Sequence, residues 1–489
     1  MPVHLEHPLR LLAEASSPRT GRRYSNRQHR ASSTVWASHN DMVTLDGSTL
    51  EGGGQLVRVA LSISSICSIP LCVTNIRANR APQGRESSHH VYASKGKGKH
   101  HRNSRKPEGG LKESHLAALN WLADKCNANV QGNEVGCRDV IFRPAKRKGN
   151  SPRATYSHVE ESPEVIELQK PGSVWLIWQA IFPYIVFRLL DVRSQDNPGG
   201  DEDIDSADGP QAQLDLAFRI ILRGGTNVPK SPSSEYMQQV FLPLCQKIGL
   251  PKVDVVVKKR GWAGSAPDIG EVAITVHTPK DAPQVGEAYS LPPFHLHSPG
   301  PITHISMTII AGSTQTHSLV ETALITAIRA VPAFSSPSHP ITLHPSSTSS
   351  SDERRLYILL VAHTSNGYAL GRDYLGSGKN ISSENDRRHI VDQAVRQVVH
   401  DFARECERGG CVDEFAEDQL VVFQALATGK TSVDADRHYQ SGEDMERDMG
   451  SLHTRTVRWV CNEMLGTVFD GSGGCEGRLE DNVAMDLRS

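Results

Sequence analysis

The sequence predicts an α+β fold. One observation points to it and two more bound the core. Short strand-like runs alternate with amphipathic helical runs, recurring at a coarse spacing. The apolar share is 38% of 489 residues, low for a compact chain of this length, so part of the chain is expected to lie outside the core as disordered insertion. The longest apolar run, 174–190, is broken by Gln179, Pro183 and Arg188 and falls short of the ~20 apolar residues of a membrane span, so it reads as a buried helix.

Net charge is −2, which excludes a global basic field, so contact with nucleic acid must come from local patches. The nine cysteines are odd in number and contain no CxxC pair. That argues against zinc sites and a disulfide framework, and for a reducing compartment. Residues 1–40 are rich in Ser and Arg, but Glu6 and Glu14 weaken a presequence reading and no apolar stretch suits secretion. They are expected to be a disordered extension.

In chain order, 42–45 reads as a strand. A helix follows at 55–66, with Leu56, Val59, Ala60, Ile63 and Ile66 on one face and Gln55, Arg58, Ser62 and Ser65 on the other. A strand at 71–77 precedes a basic stretch, 85–109, containing KGKGKHHRNSRK, which has little to bury and reads as a disordered insertion. Helix resumes after Leu111 through Leu116, Leu119, Trp121 and Leu122, then a strand at 140–142. After the buried helix 174–189 come an acidic loop at 196–209, a strand at 216–222, GGTN at 224–227, a helix at 236–248 and paired strands at 253–258 and 271–276. A Pro/Ser-rich loop, 331–351, sits within a second region, 278–378. Helices are expected at 390–407, with Val391, Ala394, Val395, Val398 and Phe402 inward, and at 413–427. Residues 471–489 read as a tail.

The stretch with most chemistry in it is 45–62, LDGSTLEGGGQLVRVALS. Glycines between a strand and a helix often serve only a turn with positive φ. They also let backbone N–H groups at a helix N-terminus approach a phosphate. The known phosphate loops do not fit: a P-loop begun at Gly47 needs Lys where Gly53 stands, and a dinucleotide fingerprint begun at Gly52 needs Gly where Val57 stands. Glu51 beside such a turn would repel a phosphate unless a hard cation sat between them. Arg58 on the helix, with Arg77 and Arg80 in IRANR, extends a positive surface suited to further phosphate oxygens.

DGSTLEGGGQLVR followed by IRANRAPQG closely resembles the N-terminal signature of the RNA 3′-terminal phosphate cyclases. GLKESHL (110–116), GSVWLIWQAIFP (172–183), GGTN (224–227), EFAEDQLVVFQALA (414–427) and SLHTRT (451–456) match that family in the same order. The resemblance implies repeated units of a four-stranded sheet backed by two helices, with a smaller inserted α/β domain at 278–378 between core segments 41–277 and 379–470. It implies an enzyme that uses ATP and Mg²⁺ or Mn²⁺ to turn an RNA 3′-terminal phosphate into a 2′,3′-cyclic phosphate. Adenylate would be carried first on a histidine, then on the RNA.

The histidine that matches the nucleophile is His453, and the apolar spacing of Val457, Val460, Cys461 and Met464 predicts a helix starting just after it. The chemistry asks for a neutral imidazole, and an unperturbed one titrates near ~6.5. Glu51, as the carboxylate beside the phosphate turn, would hold the metal. Gly52, Gly53, Gly54, Gln55, Phe415, Asp418 and Gln419 would face the nucleotide, Phe415 against its base. Arg58, Arg77, Arg80 and His115 would hold the RNA phosphate. The partner is RNA with a 3′-terminal phosphate and no membrane, the oligomeric state stays open, and the resemblance places the chain in the nucleus, with the cytoplasm as alternative.

The sequence departs from the family pattern in four places. RGW is followed by AGSAPDIGEV rather than a glycine run, the insertion at 85–109 splits the arginine motif, Ser114 precedes His115, and an acidic insertion occupies 433–449. The alternatives are therefore a non-catalytic cyclase-like protein of ribosome biogenesis, or a degenerate cyclase that adenylates without cyclising. The basic insertion would add non-specific phosphate contacts to RNA.

Overall fold

The structure, a computed structural model, describes residues 42–78, 109–146, 162–189, 217–264, 266–277, 289–435 and 450–477. The expected N-terminal extension, the acidic loop 196–209, Arg80, nearly all of the basic insertion and most of the acidic one lie outside the described residues.

One topology recurs. In the first unit, β1 (Val43–Asp46), α1 (Gly54–Cys67), β2 (Leu71–Thr74), α2 (Glu113–Lys125), β3 (Asn129–Gln131) and β4 (Val140–Arg143) form a sheet of order β1-β2-β4-β3. β1 and β2 are parallel, and the remaining pairs are antiparallel. The second unit repeats it. β5 (Glu164–Glu167), α3 (Val174–Tyr184), β6 (Ala217–Gly224), α4 (Ser234–Tyr236) running through a π turn into α5 (Leu242–Lys247), β7 (Val253–Lys259) and β8 (Gly270–His277) form a sheet of order β5-β6-β8-β7. Again the first pair is parallel and the others antiparallel. The helix expected at 174–189 changes to π geometry over Ile185–Leu189, just after Pro183, which has no N–H to donate.

The third unit is split. β9 (His295–Leu296) is followed by a separate layer: β10 (Ile302–Ala311), α6 (Thr314–Ala330), β11 (Ile341–Leu343), β12 (Thr348–Ser349), β13 (Tyr357–Thr364), β14 (Ala369–Leu375) and α7 (Glu384–Glu407). The unit then resumes with α8 (Glu414–Ala425), β15 (Lys430–Val433), α9 (Leu452–Leu465) and β16 (Cys475–Glu476), in sheet order β16-β15-β9. β9 and β15 are parallel, β15 and β16 antiparallel, as in the other two units. The expected boundary at 378 cuts the inserted layer. α7 buries Val391, Ala394, Val398 and Phe402 in one apolar cluster with Ile305 and Met307 of β10 and Val320 and Leu324 of α6. Its apolar stripe therefore belongs to the insertion, not to the core that follows.

α1 lies at the centre. It is buried from Gln55 to Cys67, and so is the polar stripe of Gln55, Arg58, Ser62 and Ser65. Within that stripe Arg58 reaches Gln179 of α3 and Gln55 reaches Asp418 of α8, so it faces other helices rather than water. No helix among the described residues is long and apolar enough to cross a membrane.

Candidate active site

The glycine turn joins β1 to α1. Asp46 Oδ1 accepts from the Ser48 backbone N–H (2.9 Å) and hydroxyl (2.7 Å), closing the turn on itself. Leu50 and Gly52 take left-handed backbone, at φ 51° and 57°. Gly52 therefore serves conformation, whereas Gly53 and Gly54 serve space. A β-carbon on Gly53 would collide with the Glu51 carboxylate, and one on Gly54 with the His115 ring and with Arg58 Nη1 at 2.7 Å. No side chain caps α1 at Gly53, which leaves its N-terminal dipole available to an anion.

Four candidate side chains meet over this turn. Arg58 donates from Nε to Gln179 Oε1 (2.8 Å) and from Nη2 to Gln55 Oε1 (2.6 Å), and Gln55 Nε2 donates to Asp418 Oδ2 (3.1 Å). His115, in the first turn of α2, accepts the Lys112 N–H on Nδ1 (3.2 Å). A neutral ring so held carries its proton on Nε2, the nitrogen above Gly54.

α8 and α9 supply the other wall. Asp413 caps α8 by accepting from Phe415 N and Ala416 N, and also takes the Tyr236 hydroxyl (2.6 Å) and the Gly371 N–H (2.8 Å). Asp418 follows one turn later. Burial pushes its carboxyl up to about 7, against the opposing pull of the Arg58 guanidinium. α9 is capped by Ser451, so His453 stands in its first turn rather than just before it, and is exposed. Thr456, one turn on, accepts the Glu51 backbone N–H on Oγ1 (3.2 Å) and donates to Leu452 O (2.7 Å). That contact ties the glycine turn to the helix of His453.

A family model for RNA 3′-terminal phosphate cyclase matches residues 99–197 and 208–470. The chain belongs to the RNA 3′-terminal phosphate cyclase family. A Drosophila melanogaster protein named RNA 3′-terminal phosphate cyclase is 27% identical over 432 residues, 88% of this chain and 92% of that one. One of the same name from Pyrococcus abyssi is 23% identical over 452 residues, 90% of this chain and 98% of its own. One from Saccharolobus solfataricus is 31% identical over 221 residues, 45% of this chain and 46% of its own. The three-unit architecture with a late insertion is the α+β arrangement expected of a cyclase.

Within this cyclase fold the candidate residues do not all behave alike. Phe415 is 45% exposed, with its edge on Tyr236 (6.1 Å) and the Arg372 guanidinium over its ring (4.3 Å). Gln419 turns back to donate to Phe415 O (2.7 Å). Arg77, at φ 56°, is buried and donates to Gly110 O (3.4 Å), just ahead of α2. Arg80 lies outside the described residues. Three contributors were not singled out from sequence: Gln179, Thr456 and Asp413. Gln179 had a readable signal, since it is an amide in an otherwise apolar helix, VWLIWQAIFPY.

Proposed function

We propose that this protein converts an RNA 3′-terminal phosphate into a 2′,3′-cyclic phosphate at the expense of ATP, with His453 as the adenylate carrier. An imidazole nitrogen of His453 attacks the α-phosphorus of ATP; a P–N bond forms and pyrophosphate leaves. An oxygen of the RNA 3′-phosphate then attacks the same phosphorus, the P–N bond breaks, and the histidine is restored. Last, the vicinal 2′-hydroxyl attacks the RNA phosphorus, loses its proton and expels AMP.

The residues fit these roles. His453 sits at the N-terminus of a 14-residue helix, where incoming phosphate is favoured. Glu51 has one deeply buried carboxylate oxygen beside the bare Gly53 backbone. Among the described residues no group of three or more His, Cys, Asp or Glu forms a metal cage. One carboxylate with phosphate oxygens and water suits Mg²⁺ or Mn²⁺, which would neutralise the triphosphate when bound. Arg58 and His115 present donors beside Gly54 for phosphate oxygens. The bond between Glu51 and Thr456 carries the reading, because it brings the glycine turn to the helix of His453.

The test uses ATP radiolabelled at the α-phosphate, followed by RNA bearing a 3′-phosphate. Acid-labile label on the wild type, absent from His453→Ala and chased onto RNA, is the expected result. Label that survives in His453→Ala overturns the assignment of the nucleophile. Label that forms but never reaches RNA identifies a degenerate enzyme. No label on folded wild type returns the protein to the class of binding proteins.

A further inference from the structure

A pair of histidines lies in the third unit, on and just after the strand β9, away from the glycine turn. His295 and His297 flank Leu296, which is 3% exposed. Strand periodicity sends both imidazoles to the outer face while Leu296 points into the core. The rings are nearly parallel, 12° apart with centroids at 5.9 Å. Their nitrogens converge on one atom: His295 Nδ1 lies 2.8 Å and His297 Nε2 3.0 Å from Ser432 Oγ, on the neighbouring strand β15.

The backbone beneath is fixed on both sides. Ser432 N donates to Phe294 O (3.1 Å), Asp434 N to Leu296 O (2.9 Å), and the Tyr368 hydroxyl to His297 O (3.2 Å). Ligands carried on paired strands hold their geometry better than ligands on loops.

We propose that His295 and His297, with Ser432 between them, form a surface site for a divalent transition metal. A serine hydroxyl can donate one proton and accept another, so it can serve a ring lone pair on one side and a ring N–H on the other. A metal takes a lone pair from each ring, which needs only a tautomer change in one of them. Metal–nitrogen bonds of ~2.0–2.1 Å are shorter than either nitrogen's contact to Ser432 Oγ, so the rings draw inward and the hydroxyl gives way to the metal. Imidazole nitrogen selects Cu²⁺, Ni²⁺ or Zn²⁺ over the oxygen-seeking Mg²⁺, with Cu²⁺ bound most tightly. No third His, Cys, Asp or Glu completes a cage among the described residues, so water fills the remaining positions. The folded backbone sets the spacing of the two imidazoles, so the metal binds the folded third unit better than the unfolded chain and stabilises it.

The test titrates untagged full-length protein with Cu²⁺ followed by electron paramagnetic resonance, and with Zn²⁺ followed by calorimetry and melting temperature. Both histidines are exposed, so His295→Ala and His297→Ala should fold. The wild type should bind one more equivalent than either variant, with a two-nitrogen copper signal and a melting temperature raised a few degrees by Zn²⁺. Each variant should lose at least tenfold in affinity at that equivalent, and millimolar Mg²⁺ should compete with neither metal. Equal stoichiometry and equal signals in wild type and both variants overturn the proposal, as does competition by Mg²⁺.

Discussion

Arg58 shows at the level of a single side chain how the site is built. Its Nε and Nη2 serve two different acceptors, Gln179 and Gln55, and its charge holds down the raised carboxyl of Asp418. A lysine offers one point charge and cannot span both amides. Arg58→Lys should therefore cut adenylation or cyclisation by roughly 100-fold and lower the melting temperature by a few degrees, the protein staying folded at the assay temperature; unchanged kinetics would show the fork to be dispensable.

Asp418 adds a pH signature. Its folded carboxyl titrates near 7 rather than 3.8, so the folded state binds the proton more tightly than the unfolded chain. Its contribution to stability is full below pH ~4 and is lost as pH rises through ~7. Asp418→Asn keeps an acceptor for Gln55 and removes the ionisation. It should be more stable than wild type at pH 8, by on the order of 1–3 kcal/mol, and about equal at pH 4. Urea denaturation at both pH values checks this, and an identical pH slope in the two proteins contradicts it. Arg58 was legible in the sequence because helical spacing places it on the polar stripe with Gln55. Gln179 left a signal, an amide interrupting an apolar run, but the group it serves became clear only with α3 laid against α1.

Among the elements, the turn and helix N-termini make the site. Gly54 opens α1, His115 sits in the first turn of α2, Asp413 caps α8, and His453 sits in the first turn of α9. The triple glycine was readable as a close approach of backbone to an anion. Which glycine does what was not, since Gly53 is constrained by Glu51 and Gly54 by His115 and Arg58, and His115 arrives from a distant helix. Gly54→Ala would push His115 and Arg58 off the turn. Activity should fall by more than ~100-fold with the melting temperature lowered by only a few degrees, because flexible ends of side chains can move aside. Retention of activity within threefold would mean that neither side chain needs its place over the turn.

On the scale of the whole molecule, the alternation of strands and helices was legible and the family resemblance implied repeated units, but their number, three, was not. The units share strand order and pairing, not sequence, and the third is split between its first strand and first helix. The insertion is also less separable than a second region in the sequence suggests. Along β13 the side chains alternate: Ile358, Leu360 and Ala362 face α6 and α7, while Tyr357, Leu359 and Val361 join the main core with Ile310 of β10. Gly371 of β14 donates its N–H to Asp413, and Arg372 is paired with Glu405 and Glu414, so β14 braces the N-terminus of α8 beside Phe415 and Asp418. Replacing 298–409 by a short linker would remove Ile310, Tyr357, Leu359 and Val361 from the main core, leave the apolar side chains they cover open to water, and strip Asp413 of a donor. The shortened protein should fail to fold or aggregate, and the intact one should melt in a single transition seen alike by far-ultraviolet circular dichroism and tryptophan fluorescence. Two separate transitions, or a soluble shortened protein that still adenylates, would instead make the inserted layer an independent module, with the cap on α8 sufficient without it.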